Sequence, residues 1–178
     1  MRIFVAVFPP QRVREMLFRA ARNLPASKEF RLIDPEKLHL TLKFLGEVAE
    51  DDLGVVRRAL EPLREGQEPF EASTSGFGAF PSRKRARILW AGLGEGSEPL
   101  RAVAQSVENL LEPVGFGREE RPYVPHLTLG RARGRQAKLD DASVSPSVLR
   151  FTVSGVELVE SLPGAGGVTY SILETYAF

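Results

Sequence analysis

The tetrapeptide His39-Leu40-Thr41-Leu42 recurs as His126-Leu127-Thr128-Leu129, and these copies use both histidines of the chain. Apolar and polar residues alternate with period two in each copy, the pattern of a half-buried β-strand. The leucines then face a core, while His and Thr share the opposite face. That face offers an imidazole, which titrates near neutral pH, beside a hydroxyl donor. Two such faces across a cleft would supply an acid, a base and two hydroxyls to one anionic substrate. A single His-x-Thr strand is most simply a packing feature. Two identical copies in matching places are hard to explain that way, because buried His-Thr pairs would each need polar partners inside the core.

The elements that must position these strands follow from periodicity. Residues 2–8 read as a buried strand ended by Pro9-Pro10, and 11–24 as an amphipathic helix with Val13, Met16, Leu17, Ala20 and Leu24 on one stripe. A short extended piece at 30–33 precedes the first histidine strand at 38–45. A second helix is expected at 51–63, then a strand at 70–76 and a Gly-rich turn at Gly76-Phe77-Gly78. The second part brings a strand at 86–93 and a helix at 97–113 capped by Ser97. The second histidine strand follows at 124–131, and a polar stretch at 138–148. A long strand at 149–162, a turn at 164–167 and a closing strand at 168–178 complete the chain.

This order contains a repeat. Ile3 and Ile88, in the two opening strands, are 85 residues apart, and His39 and His126 are 87 apart. The expected fold is α+β, bilobal, duplicated about a pseudo-twofold. Two antiparallel sheets line a central cleft and helices lie outside. We read residues 1–178 as one domain with approximate repeats 1–80 and 86–178.

Composition narrows the function. With 24 basic and 23 acidic residues the net charge is +1, so any nucleic-acid contact must be local. The absence of cysteine excludes disulfides and thiolate metal sites, and two histidines are a poor zinc-ligand supply. No apolar run is long enough for a bilayer, and the first residues lack a signal-peptide cleavage pattern. A cytoplasmic location, no membrane contact and no obligate protein partner are therefore expected.

Around the two motifs the chain resembles the two-histidine (2H) phosphoesterases, in the branch of the RNA 2′,3′-cyclic phosphodiesterases, or 2′-5′ RNA ligase-like proteins. The hallmark of that family is a pair of H-x-[ST]-x motifs, here His39 to Leu42 and His126 to Leu129. The surrounding Leu38-His-Leu-Thr-Leu-Lys-Phe-Leu-Gly46, Gly78-Ala-Phe-Pro81 and Pro125-His-Leu-Thr-Leu-Gly-Arg131 are similar too. Gly130 departs from the pattern, where alanine is expected. The resemblance implies hydrolysis of RNA or nucleotide 2′,3′-cyclic phosphodiester ends to 2′-phosphomonoesters, without metal or other cofactor. His39 would be the proton donor, His126 the proton acceptor, and Thr41 and Thr128 phosphate ligands. The partner would be RNA or an oligonucleotide with a 2′,3′-cyclic phosphate end. A 2′-5′ RNA ligase direction and a non-catalytic nucleotide- or RNA-binding module are the alternatives.

Several residues remain open at this level. Lys43 shares the strand parity of His39 and Thr41, so it could lean towards the phosphate or simply be solvated. Arg131 resembles a family arginine, yet alternation puts it on the leucine face. Only a bulge at Gly130 would re-aim it into the phosphate site. The run Arg83-Lys84-Arg85-Arg87 reads equally as a solvated loop or an RNA backbone contact. Tyr123 and Phe44 could stack on a base, with core packing preferred for both.

Overall fold

The computed structural model describes residues 1–139, 147–164 and 167–178. The polar stretch expected at 138–148 falls largely outside these residues, as does the middle of the turn expected at 164–167. Nine strands and four α-helices are described: β1 (Arg2–Val7), α1 (Gln11–Arg22), β2 (Phe30–Leu32), β3 (Leu40–Glu47), α2 (Leu53–Leu60), α3 (Leu63–Gly66), β4 (Phe70–Phe80), β5 (Ile88–Leu93), α4 (Ser97–Leu111), β6 (His126–Ala132), β7 (Arg150–Val153), β8 (Gly155–Gly164) and β9 (Gly167–Ala177).

The strands form an antiparallel path in the order β7-β4-β5-β6-β3-β1-β8-β9, with β2 added at the far end of β6. The path is a palindrome about the β6/β3 boundary. There the two histidine strands meet through a single antiparallel pair, Leu40 with Leu127. Those residues occupy the same place in the two motifs, so the pseudo-twofold passes between them. The two expected sheets are thus two four-stranded halves of one continuous, curled sheet.

The helices cover one face of this sheet. Val13, Leu17 and Ala21 of α1, Val56 and Leu60 of α2, and Leu100, Val103, Val107 and Leu111 of α4 are buried. They pack against Ile3, Val5, Leu40, Leu42, Leu127 and Leu129 in one core. The helices are exchanged between the halves: α1 touches β6, and α4 touches β3. The opposite, concave face carries a second, smaller apolar group of Phe4, Ala6 and Val159, with Phe8 and Tyr170 against it.

Three expectations change. The Gly76-Phe77-Gly78 stretch is no turn but the middle of β4. Gly78 is needed there because a Cβ would lie 2.1 Å from the Trp90 indole, which rests on that strand. The long strand at 149–162 is two strands separated at Ser154, and they serve opposite halves. β7 pairs with β4, whereas β8 pairs with β1 and β9. Finally, the backbone before α4 is capped by Gly96, at φ +81°, while Ser97 donates its hydroxyl to the Leu93 carbonyl at 3.1 Å. A side chain at Gly96 would also sit 2.7 Å from the Glu71 carbonyl.

The halves fill equivalent space differently. Ala6 lies beside Glu157 on the β3 half where Trp90 lies beside Gly78 on the β6 half. One oxygen of Glu157 is buried without a hydrogen-bond partner. Burial pushes this carboxyl up to about 7, against the opposing pull of the Phe8 amide and the Arg14 charge. The folded chain therefore keeps a proton that the unfolded chain releases from about pH 4.5 upward, so stability falls as pH rises from there through about 7. Glu157→Gln should raise the melting temperature at pH 8, on the order of 1–3 kcal/mol of stability, and lose that advantage near pH 4.5. An equal shift at both pH values in thermal melts would count against a strained buried carboxylate.

Candidate active site

The two histidines sit at the threshold of their strands, where the backbone becomes extended, and both are held in the same way. The Nδ1 of His39 lies 2.7 Å from the Lys37 carbonyl, and that of His126 lies 2.7 Å from the Val124 carbonyl. A carbonyl only accepts, so Nδ1–H donates in each ring and Nε2 is left to take or give a proton. The rings are further fixed by aromatic contacts. His39 packs against Phe4, Phe8 and Tyr170, at 4.9, 5.3 and 5.2 Å between ring centres. His126 packs against Phe80 at 5.1 Å and Trp90 at 6.3 Å. Burial lowers the His39 pKa from 6.5; the Lys37 carbonyl opposes this, while the His126 and Arg14 charges add to it. The His126 charge is thus felt at the His39 ring.

A cleft of about 620 Å³ opens on the His39 side. Its walls include His39, Thr41 and Tyr170 from the β3 half and Thr128 from β6. The threonines project opposite to the leucines, as strand parity requires: Leu40, Leu42, Leu127 and Leu129 are buried, and Thr41 and Thr128 are half-buried.

Parity then breaks in both strands. Ala6 pairs with Thr41 but Val5 with Lys43, which leaves Leu42 as an extra residue. In the other half Trp90 pairs with Thr128 but Leu89 with Gly130, which leaves Leu129 as the extra residue. These matched β-bulges re-aim the residues just beyond them. Arg131 is turned into the cleft by the bulge that strict alternation lacks. Lys43 is turned away, a correction to its proposed phosphate contact. It is 3% exposed, and its ammonium donates to Glu108 Oε2 and the Gly117 carbonyl, both at 2.6 Å. The same bulge brings Phe44 into the cleft, 64% exposed, so core packing is corrected for that residue. Phe44 and Arg131 are equivalent positions of the two halves.

Tyr123 does pack against the core, and burial raises its pKa. None of the 83–87 run lines the cleft, and Arg83 donates to the Phe77 carbonyl at 2.8 Å. Gly130 has a structural reason, because a Cβ there would stand 3.1 Å from the Arg31 carbonyl where β2 joins β6. The aromatic walls Phe4, Phe8, Tyr170 and Trp90 carry no sequence signal beyond apolar character. Arg31, Lys37 and Arg2 also line the cleft, and nothing in their local sequence marks them for it. Among the described residues no group of three or more His, Cys, Asp or Glu side chains could hold a metal ion. No described helix is long and apolar enough to cross a membrane.

A duplicated antiparallel sheet with a His-x-Thr strand on each side of its axis defines the two-histidine phosphoesterase class. Residues 8–165 match the 2′-5′ RNA ligase superfamily, and the chain belongs to that family. It is 34% identical to the RNA 2′,3′-cyclic phosphodiesterase of Methanothermobacter thermautotrophicus, over 98% of this chain and 97% of that one. It is 33% identical to the protein of the same name from Thermus thermophilus, over 99% and 90%. Among solved structures, TT0787 of Thermus thermophilus superposes with a TM-score of 0.84 at 29% identity, over 99% of this chain and 97% of that chain. E. coli LigT complexed with 3′-AMP gives 0.83 at 25% identity, over 99% of this chain and 97% of that chain.

Because Lys43 neutralises Glu108 inside the protein, Lys43→Ala should leave a buried, unpaired carboxylate and destabilise the fold by about 3–5 kcal/mol. Denaturant unfolding would read this. A loss of turnover with unchanged stability would instead return Lys43 to the chemistry.

Proposed function

We propose that the chain hydrolyses 2′,3′-cyclic phosphodiester ends of RNA or nucleotides to 2′-phosphomonoesters. The observation that carries this reading is the pair of imidazoles fixed alike through Nδ1, each followed by a threonine, on either side of one axis. The cyclic-phosphodiesterase name shared by relatives at similar full length supports it.

Nε2 of His126 takes a proton from water as the water oxygen attacks phosphorus. The P–O3′ bond breaks, and His39 gives its Nε2 proton to the departing 3′-oxygen. A 2′-phosphate and a free 3′-hydroxyl result. The Thr41 and Thr128 hydroxyls donate to the non-bridging oxygens, where charge builds in the transition state. Imidazolium and hydroxyls thus share the charge without a metal ion.

The room available for a nucleoside supports this direction of proton traffic. In-line displacement puts the leaving oxygen on the ribose side of phosphorus and the water on the far side. The open volume lies on the His39 half, and Phe44 offers an exposed aromatic face there. A nucleoside seated on that half presents its 3′-oxygen to His39 and leaves the water to His126. The buried His39 holds a proton less readily in the free protein, and the anionic substrate opposes that loss.

His39→Ala and His126→Ala should each lower kcat by roughly 10²-fold or more on a small 2′,3′-cyclic nucleotide, and the double variant should be little worse than either. Turnover should survive dialysis against EDTA. Near-normal activity in either single variant, or activity restored only by added metal, would remove the two-histidine scheme.

The role assignment has its own readout. In His126→Ala, residual kcat/KM should keep only an alkaline limb, centred below 6.5 because His39 must stay protonated and its pKa is lowered. An acid limb in that variant, or a 3′-phosphate product by phosphorus NMR, would exchange the two roles.

A further inference from the structure

We propose that Arg31 and Arg131 form a second anion site, which holds the phosphodiester one nucleotide upstream of the reacting end. The cleft thereby selects RNA chains over cyclic mononucleotides. This rests on the cyclic-phosphodiester reading above and extends it from the reacting group to the strand that carries it.

Arg31 of β2 and Arg131 of β6 are direct antiparallel partners, so their side chains leave the sheet on the same face. Like charges placed opposite one another are destabilising, and here neither has an ion-pair partner among the described residues. Both are exposed, and both line the cleft that contains His39 and Thr128. The nearby acid in the wall, Asp34, is taken by Lys37 at 3.2 Å. An arrangement that repels itself when empty is relieved by an anion between its members. Two guanidinium forks can each pair with the non-bridging oxygens of a phosphodiester.

Geometry sets the distance from the chemistry. Thr128 and Arg131 are three residues apart on β6, roughly 7–10 Å along an extended strand shortened by a bulge. That is the scale of one nucleotide step, which lets the guanidinium reach past the reacting phosphate to its neighbour. The β-bulge at Leu129 is essential, since without it Arg131 would enter the core. Gly130 sits at the same crossing, where a Cβ would stand 3.1 Å from the Arg31 carbonyl as β2 joins β6.

The test compares kcat/KM on a 2′,3′-cyclic mononucleotide lacking a 5′-phosphate with that on a dinucleotide ending in a 2′,3′-cyclic phosphate. The native chain should prefer the dinucleotide. Arg31→Gln should reduce that preference at least fivefold and flatten the salt dependence of dinucleotide cleavage by about one unit of log–log slope, as for one lost phosphate contact. Arg31→Lys should restore part of it. The proposal is overturned if the native chain shows no preference, or if Arg31→Gln leaves the preference unchanged, whether both rates fall together or neither moves. Cleavage of both substrates with an unaltered preference would remove the second anion site alone. Cleavage of neither by the native chain would remove the cyclic-phosphodiesterase reading itself.

Discussion

Leu42 and Leu129 are the residues on which the cleft depends. Each is one residue too many for the strand beside it, and each is buried in the core by its own hydrophobicity. The backbone absorbs the surplus as a bulge, and the facing of the side chains just beyond it inverts. On the near side of the bulge, His39, Thr41 and Thr128 face the cleft. On the far side, Phe44 and Arg131 join them, and Lys43 is driven inward to meet Glu108. The irregularity that β3 and β6 share thus turns two ordinary amphipathic strands into a set of functional groups along one cleft.

Duplication gives the centre its symmetry, and substitution then breaks it. The imidazoles are held by matching carbonyls, and the strands touch at matching leucines. Beyond that the halves diverge: small Ala6 with Glu157 on one, large Trp90 with Gly78 on the other. The β6 side is filled by an indole, and the β3 side stays open. A pseudo-symmetric pair of groups can perform a directional reaction only if its surroundings distinguish one face of the substrate from the other. Here that distinction is volume on one side and an arginine on the other.

Much of this is legible in the sequence because period-two alternation and repeated motifs are local signals. The histidine strands, the apolar stripes of α1 and α4, and the spacing of the repeats all rest on near neighbours. The departures share one cause. Lys43 and Phe44 escape the alternation rule because it assumes an unbroken strand, and a bulge is decided by the partner strand. Gly76 to Gly78 resembles a turn because glycine's local preference is visible and the Trp90 ring that requires it is not. The split at Ser154 is invisible because the two pieces, each apolar and extended, differ only in their distant partners. Arg31 gives no signal at all, since its meaning lies wholly in standing opposite Arg131.

The crossing at Ser154 also bears on how the molecule is made. β1 leaves the ribosome well before one of its neighbours in the sheet, β8, whose residues 157–161 come roughly 155 positions later. Until then β1 has β3 on one edge and bare amide and carbonyl groups on the other. Closure over so long a loop is slow relative to local pairing. The wall behind His39, with Glu157 on β8 and Tyr170 on β9, is therefore assembled only once β8 and β9 have emerged. A chain interrupted before that point has both motifs and no cleft to hold them.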